Sequence, residues 1–314
     1  MTAMFGIEHP VVLAPMGGVA GGALAAAVSE GGGLGLIGAG SGNRQWLEHE
    51  CRIVKAATSK PWGIGFLSWG VTPQLVEAAI EQSPSAIMLS FGDPKPFAGM
   101  ISAAGIRVMA QVTSMDEAER ALEVGADVVV AQGSEAGGHG GGRATLPFVP
   151  AVVDIAGATP VVAAGGIADG RGLAAVLTLG AAGAMIGTRF EATTEALLEA
   201  DETAAIIAAH TADTTRGRAI DVAAGAHWPE QYPARTLRNR FLDEWQDRVA
   251  ELDDSVRQEY RDAVARRDPD YVPIWAGEAV DLVTESGDAA AVLAQIVAQA
   301  ELAINVAGRL NARG

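Results

Sequence analysis

Short apolar segments alternate with longer amphipathic segments over about the first 190 residues of this 314-residue chain. The short segments are rich in Val, Ile, Leu and Ala, and the segments between them have helical spacing. We predict eight strands, at Val11–Met16, Leu34–Ala39, Trp62–Leu67, Ala86–Phe91, Arg107–Val112, Val128–Gly133, Pro160–Gly165 and Gly183–Gly187. Repeated βα units are typical of parallel sheets, and eight of them favour a closed (β/α)8 TIM barrel over an open doubly wound sheet.

Residues that begin and end helices support this pattern. Thr72 stands before a proline, as at a capped helix start, and Ser114 with Glu117 three positions later has the spacing of a capping box. Gly125 follows the second of these segments, where a C-terminal glycine commonly ends a helix. These signals favour βα repeats but do not by themselves distinguish a barrel from an open sheet.

The last third of the chain has a different pattern. Beyond residue 189 no strand signal remains, 190–210 has helical spacing, and residues 228–275 are densely charged with mixed signs. A final Ala-rich helical segment is interrupted near Gly287. We predict C-terminal helical additions to the barrel and divide the chain into a barrel core (1–220), a charged helical insertion that covers the active site (221–277), and a C-terminal helix that packs back on the barrel (278–314).

Composition limits the possible partners. The net charge of −16 argues against general nucleic-acid binding, which needs basic surfaces. Cys51 is the single cysteine, so no intrachain disulfide can form, and we expect a buried or tolerated thiol in a reducing compartment. The uncharged residues 10–29 are interrupted by prolines and glycines, which disfavours a membrane span. We therefore predict a cytoplasmic protein without membrane or nucleic-acid partners, and a possible homo-oligomer.

Two segments place candidate chemistry at the carboxyl ends of strands, the face that carries active sites in barrels. Ala14-Pro15-Met16-Gly17 ends the first strand, where glycine lets the backbone approach a flat ligand. The loop Gln132–Gly142 follows the sixth strand and holds six glycines and His139. Histidine readily exchanges a proton near neutral pH, so His139 is the candidate general base, and Glu135 is a weaker one.

A third pair of segments suggests a phosphate site. Gly165-Gly166-Ile167 follows the seventh strand and Gly187-Thr188 follows the eighth, and barrels commonly bind phosphate with these two loops. Two ordinary tight turns are the alternative. No Walker or Rossmann glycine motif and no G-x-S-x-G elbow occurs, and the five histidines lack ligand spacing, so we predict no metal site.

These segments, in this order, resemble the nitronate monooxygenase family, once called 2-nitropropane dioxygenases. The matching segments are Ala14–Gly18, Gly125–Asp127, Gln132–Gly141, Gly165–Ile167, Gly180-Ala181, Gly187–Phe190 with Glu195, and Trp275–Gly277. The resemblance implies FMN on a (β/α)8 barrel. It departs at the third strand, where relatives often have asparagine and this chain has Ser68 and Trp69, either of which could stand near the flavin instead.

The resemblance also implies roles for individual residues. His139 corresponds to the proposed catalytic base or substrate-orienting residue, and Gln132 to a side chain that faces the flavin. Contacts to the isoalloxazine ring would come from the first strand end and the histidine loop, at Ala14, Pro15, Met16, Gly17, Gly137 and Gly138. Contacts to the FMN phosphate would come from Gly165, Gly166, Gly187 and Thr188.

Four functions remain open from the sequence. FMN-dependent oxidation of alkyl nitronates or nitroalkanes with O2, to carbonyl compounds and nitrite, is the leading hypothesis. An FMN- and NAD(P)H-dependent reductase resembling the enoyl-acyl carrier protein reductases is the main alternative, although Ala136 occupies a position where those reductases more often have serine. A phosphate-binding barrel without flavin and a non-catalytic flavin-binding protein are the other two.

Overall fold

A computed structural model describes residues 1–40 and 42–308 of the chain. Its strands, in chain order, are β1 Val11–Leu13, β2 Gly35–Gly40, β3 Trp62–Leu67, β4 Ala86–Ser90, β5 Arg107–Val112, β6 Val128–Gln132, β7 Gly138–His139, β8 Val161–Ala164, β9 Gly183–Ile186, β10 Thr214–Gly217 and β11 Ala234–Leu237. Eight of them form one parallel sheet in the order β1-β9-β8-β6-β5-β4-β3-β2. These are the eight strands that the apolar segments predict, within three residues at each end.

Hydrogen bonds between the two outermost strands close this sheet. The Leu13 amide donates to the Leu34 carbonyl and the Leu34 amide donates to the Val11 carbonyl, each at 2.9 Å. A parallel bridge between Val12 and Leu34 joins the same segments. The prediction of a (β/α)8 TIM barrel is confirmed.

Helices surround the barrel. In chain order they are α1 Thr2–Phe5, α2 Gly22–Glu30, α3 Arg44–Ala57, α4 Pro73–Glu81, α5 Lys95–Ala103, α6 Met115–Glu123, α7 Thr145–Ala156, α8 Gly170–Thr178, α9 Thr188–Glu191, α10 Ala200–Ala208, α11 Ala219–Ala224, α12 Arg240–Trp245, α13 Asp254–Ala265 and α14 Ala289–Gly308. The caps follow the sequence signals: the Thr72 and Ser114 side chains accept from the amides three residues later. The Glu117 carboxylate, however, accepts from the Thr113 amide instead of the cap residue.

Strand side chains alternate between two apolar layers. One layer lies between the strands and the outer helices and includes Leu13, Ile37 and Phe66. The other fills the barrel interior, with residues such as Met88 and Met109, and α1 closes its amino-terminal end with Phe5. Because alternate residues of a strand point to opposite faces, each strand has a set of inward-pointing residues that extends to the carboxyl-terminal face of the barrel.

A small antiparallel sheet stands over that face, in the order β10-β11-β7. The expectation of no strand beyond residue 189 is therefore wrong. The two later strands have the sequences Thr-Thr-Arg-Gly and Ala-Arg-Thr-Leu, which are too short and too polar for an apolar run. Their stability comes from pairing with each other and with the histidine loop. The hydrophobic pattern within one short segment cannot predict such pairing with distant segments.

The remaining C-terminal segments are mainly helical. The predicted helix over 190–210 is interrupted, since α9 ends at Glu191 and α10 begins at Ala200. In the charged region α11, α12 and α13 alternate with loops, and α13 exposes most of its charges while burying Tyr260 and Ala263. The boundaries at residues 220 and 277 stay predictions.

The final helix packs against the barrel helices α8 and α2. A short 3-10 helix over Glu278–Leu282 precedes it, separated by the predicted break near Gly287. By length and mean hydropathy (1.5), α14 is the one helix in the described ranges that could cross a membrane. Its buried residues Val292, Leu293 and Ile296 belong to the apolar layer outside the barrel strands. Residues 309–314 of the predicted helix lie outside the described residues.

Gly38 tests the close packing of β1 against β2. A Cβ at Gly38 would overlap the Met16 backbone, whereas one at Gly99, on exposed α5, meets nothing within 4 Å. We expect Gly38→Ala to lower the free energy of unfolding by about 1–3 kcal/mol through overpacking. Gly99→Ala should raise it by about 0.5–1 kcal/mol because alanine favours the helix. Urea unfolding of both variants checks this, and equal effects would contradict it.

Candidate active site

The inward side chains at the carboxyl ends of the strands meet in one cavity of about 290 Å³. This face of a barrel is where binding sites lie, and the volume suits a small-molecule site. All twelve residues that the sequence singles out line it: Ala14, Pro15, Met16, Gly17, Gln132, Gly137, Gly138, His139, Gly165, Gly166, Gly187 and Thr188. The structure therefore brings together four segments that lie up to about 170 residues apart in the chain.

Glycines on two neighbouring strands set the position of the first segment. The space that a Gly65 side chain would occupy holds the Pro15 ring, and the space beside Gly38 holds the Met16 backbone. The Ala14 amide donates to the Ile186 carbonyl at 2.9 Å, which fixes the other side of the segment. Gly17 has open space at its Cβ position, so the chain presents bare backbone to the cavity there.

Two glutamines on adjacent strands face the cavity with unused hydrogen-bonding atoms. Gln132 donates from Nε2 to the His139 carbonyl at 3.1 Å, but its Oε1 is buried without a partner. Nε2 of Gln111 is buried and also has no partner among the described residues. A buried unsatisfied polar atom costs about 1–3 kcal/mol. One free acceptor and one free donor in a flat cavity fit a planar ligand with a mixed polar edge.

The histidine loop is held by a half-buried arginine. Arg216 on β10 donates from Nη1 to the carbonyls of Gly140 (3.0 Å) and Pro233 (2.8 Å), and from Nη2 to those of Ser134 (3.0 Å) and Ala136 (2.9 Å). Burial lowers the pKa of this guanidinium to about 10. Four carbonyl acceptors satisfy four donors of the guanidinium, so one side chain fixes both ends of a loop that glycines would otherwise leave mobile.

His139 has a defined orientation in the cavity wall. Its Nε2 lies 3.0 Å from Oδ1 and 3.1 Å from Oδ2 of Asp221 on α11, and both side chains are more than nine-tenths buried. Its ring stacks on Trp228 with a centroid distance of 3.4 Å and an interplanar angle of 7°. Since a carboxylate only accepts hydrogen bonds, Nε2 carries the proton and Nδ1 keeps the lone pair when the ring is neutral.

Aromatic side chains extend the wall around His139. Trp228 contacts Trp69 at 5.1 Å and Phe91 at 5.3 Å between ring centroids, and Trp275 lies 5.5 Å from the histidine ring. Trp228, Trp275 and Phe91 line the cavity, whereas Ser68 and Trp69, the alternatives at the end of β3, do not. This mouth is apolar and suits a substrate with a hydrophobic body.

The two loops assigned to a phosphate differ in geometry. Gly165 and Gly166 have φ of 98° and 71°, a region that favours glycine. The Thr188 hydroxyl accepts from the Gly277 amide at 3.0 Å, which leaves its own hydrogen free to donate to a ligand. Gly187 precedes it and lines the cavity beside the Met16 sulfur.

Glu191 is a buried acid in the same cavity wall. It is 3% exposed, and the structure gives its carboxyl no hydrogen-bond partner and no counter-ion among the described residues. Burial alone raises the pKa of this carboxyl to about 8. Near neutral pH the side chain is therefore mainly a neutral acid, which can both donate and accept.

The other candidates from the sequence have structural roles. Glu135 does not line the cavity: its carboxylate accepts from the Thr145 amide and hydroxyl and caps α7. Cys51 is fully buried, as expected, and burial raises the pKa of its thiol to about 12, so it is not a nucleophile. Within residues 1–40 and 42–308 no group of three or more His, Cys, Asp or Glu side chains could hold a metal ion.

Sequence reasoning missed five residues of the site: Gln111, Glu191, Arg216, Asp221 and Trp228. Gln111 had a usable signal, because it is polar and shares the inward parity of Met109 on the same strand. Glu191 also had a usable signal, because it is a charged residue directly after the Gly187–Phe190 segment. The other three lie more than 70 residues from the loop that they contact and had no local signal.

Comparison with known proteins identifies the family. The nitronate monooxygenase family model matches residues 1–69 and 66–299. The chain belongs to the nitronate monooxygenase family. Members of this family are flavin enzymes.

The names of individual relatives state different activities. A probable nitronate monooxygenase of Staphylococcus aureus is 29% identical and matches 90% of this chain and 92% of its own length. The (3aS,4S,5R,7aS)-5-hydroxy-7a-methyl-1-oxo-octahydro-1H-indene-4-carboxyl-CoA dehydrogenases of Rhodococcus jostii and Mycobacterium tuberculosis are 36% and 37% identical over 70% and 62% of this chain. The chain spans 63% and 56% of the length of these two dehydrogenases.

Solved structures have the same fold over the whole chain. FabK from Thermotoga maritima is 30% identical with a TM-score of 0.88, covering 100% of this chain and 98% of that chain. A nitroalkane oxidase from Streptomyces ansochromogenes is 27% identical with a TM-score of 0.84, covering 98% and 99%.

Arg216→Lys tests the clamp on the histidine loop. A lysine keeps the charge but cannot reach four carbonyls in a planar fork, so buried acceptors lose their donors. We expect the free energy of unfolding to fall by about 2–4 kcal/mol and amide exchange in residues 134–140 to accelerate. Arg248→Lys, at an exposed ion pair, is the control and should change neither. Unchanged exchange in the loop would mean that Arg216 does not hold it.

Glu191→Gln tests the buried acid through the pH dependence of stability. The folded state raises the pKa of Glu191 from 4.5 to about 8, so the native protein loses stability as pH rises through this interval and levels off above it. Glutamine cannot ionise. The stability of the variant relative to wild type should therefore rise between pH 5 and 8.5, by roughly 2–4 kcal/mol at about 1.4 kcal/mol per pKa unit. Urea unfolding at both pH values measures it. Glu123→Gln, at an exposed acid on α6, is the control, and its stability relative to wild type should not change between these pH values.

Proposed function

We propose that the protein is an FMN-dependent enzyme that oxidises alkyl nitronates or nitroalkanes with O2 and releases a carbonyl compound and nitrite. The observation that carries this proposal is His139, which lines the cavity with one ring nitrogen bound to Asp221. The family match, the S. aureus relative and the nitroalkane oxidase structure support the same reaction class. A small nitro compound and O2 are then its partners, while a cytoplasmic location and a homo-oligomer stay predictions.

The cavity fits FMN in three respects. The free amide atoms of Gln111 and Gln132 match the polar edge of an isoalloxazine ring. The bare backbone at Gly17 and Gly138, with nothing within 4 Å of the Cβ positions, allows a flat ring to approach. We assign the cofactor phosphate to the backbone of Gly165, Gly166 and Gly187 and to the Thr188 hydroxyl.

When bound, FMN would supply the two-electron redox chemistry between the substrate and O2. The protein holds and orients the reactants. Asp221 fixes the His139 tautomer, so that Nδ1 is the atom that takes the proton α to a neutral nitro group. Once protonated, the imidazolium is stabilised by the Asp221 carboxylate and can hydrogen-bond the nitronate oxygens. Trp228 and Trp275 exclude water and contact the alkyl part of the substrate.

A second candidate is an FMN- and NAD(P)H-dependent reductase of thioester substrates, like the enoyl-acyl carrier protein reductases. Two observations favour it. The two dehydrogenase relatives are 36% and 37% identical to this chain, against 29% for the nitronate monooxygenase relative. The substrate that their names state is an acyl-CoA. The apolar mouth around Trp228 would also accommodate an acyl chain.

Absorption spectra distinguish these candidates. The purified holoenzyme is mixed anaerobically with a nitronate and, in a separate experiment, with NADPH. Rapid bleaching of the flavin by the nitronate, with recovery in air and release of nitrite, is the expected result. Bleaching by NADPH alone would support the reductase and overturn the oxidase. Acid release of FAD, or of no flavin after reconstitution, would overturn the cofactor assignment.

His139→Asn separates proton transfer from substrate positioning. A nitronate has already lost its α proton, whereas a neutral nitroalkane has not. We expect His139→Asn to keep FMN bound and to slow turnover of the nitroalkane by about 10²–10⁴-fold, with a much smaller effect on the nitronate. Anaerobic flavin reduction by each substrate measures both rates.

Asp221→Asn is the matched variant. Asparagine can donate to Nε2 and so permits the other tautomer, which should also slow the nitroalkane selectively. Equal slowing of both substrates in both variants would mean that the His139 ring only positions the substrate. No slowing in either variant would contradict the proposed base.

A further inference from the structure

We propose that Glu191 is a binding residue of this cavity that acts as a neutral carboxylic acid and hydrogen-bonds the cofactor phosphate. This inference rests on the proposed FMN site. It begins from a buried side chain that neither the fold nor the reaction explains. A carboxyl that is 3% exposed ordinarily has a hydrogen-bond donor or a counter-ion, and Glu191 has neither among the described residues.

The position of Glu191 associates it with the phosphate end of the cavity. Its amide donates to the Gly187 carbonyl, so it lies one helical turn after the residues assigned to the phosphate. His139, on the opposite loop, also lines the cavity, and its ring is already bound to Asp221. Glu191 is thus the cavity acid that has no partner among residues 1–40 and 42–308.

The neighbouring charged groups do not compensate Glu191. Arg189, on the same helix, donates to the Glu285 carbonyl and forms no ion pair with Glu191 in the described structure. The 3-10 helix that packs on α9 carries Glu278, which binds Arg235, and Asp281, which binds His210. Burial is the cause of the raised pKa of Glu191, and no nearby charge contributes to it.

Only the protonated form is compatible with a bound phosphate. An ionised carboxylate and a phosphate dianion in a water-poor cavity repel each other, whereas a protonated carboxyl donates a strong hydrogen bond to a phosphate oxygen. The ligand would supply the missing partner of Glu191, and Glu191 would supply a donor where the described part of the cavity wall has no Lys or Arg. Cofactor binding would then be coupled to one proton.

The test is the dissociation constant of the full chain for FMN between pH 7 and 9.5, measured by quenching of flavin fluorescence. Above pH 7 the phosphate of free FMN is essentially a dianion, so its own ionisation adds little. We expect the constant to rise about 30-fold for wild type over this range, since a carboxyl with a pKa of about 8 is ionised at pH 9.5 and must be protonated again on binding. Glu191→Gln should bind FMN with a flat profile, and Glu123→Gln should behave like wild type.

Riboflavin, which lacks the phosphate, is the ligand control. Its dissociation constant should not change with pH in wild type. A flat FMN profile in wild type, the same rise for riboflavin, or a rise that persists in Glu191→Gln would each overturn the proposal for Glu191. The wild-type comparison of FMN with riboflavin needs no variant to fold. Failure of wild type to bind FMN at pH 7 would instead overturn the proposed function itself, and Glu191 with it.

Discussion

In a closed barrel of eight parallel strands, every second side chain points inwards. At the carboxyl-terminal end of the barrel, the last inward-pointing side chains of all eight strands lie next to one another. Apolar side chains such as Met88 and Met109 fill the lower interior, and α1 closes the bottom. At the top the inward-pointing residues are of other kinds, including Gly65, Gln111 and Gln132. The cavity is thus a continuation of the core in which small and polar residues replace the packing groups, and its shape depends on the closure of the sheet.

The open end of the barrel is completed by the part of the chain with the weakest sequence pattern. Arg216 joins β10 to the histidine loop through carbonyl acceptors, and the following residues bring Asp221 and Trp228 to the two sides of the His139 ring. A largely desolvated guanidinium is costly unless its N–H groups find acceptors. The backbone carbonyls of Ser134, Ala136, Gly140 and Pro233 accept from four of them, so the histidine loop and Arg216 depend on each other.

Sequence pattern alone predicted the barrel and its eight strands, because parallel βα units have strong local periodicity, and the distinctive loops after the strands indicated twelve residues that line the cavity. It did not predict β10 or β11, whose stability comes from pairing across the top of the barrel. It did not predict Asp221 as the partner of His139, since 82 residues separate them and no spacing rule connects them. Gln111 could have been found from the alternation of inward and outward residues along β5 alone. The lack of a hydrogen-bond partner for Glu191 could be recognised only once its spatial neighbours were known.

Charge in the cavity relates the fold to the chemistry. The protein carries a net charge of −16, yet among the described residues the cavity wall has no Lys or Arg, and its titratable side chains are His139 and Glu191. An anionic group that enters must be met there by backbone amides, by neutral donors such as the Gln111 amide and the Thr188 hydroxyl, or by a proton on His139 or Glu191. At the histidine, the Asp221 carboxylate binds Nε2, so Nδ1 is the ring nitrogen left for a ligand. In the proposed nitronate reaction, negative charge on the nitro oxygens would develop beside this fixed ring, where a preorganised dipole contributes most to the rate.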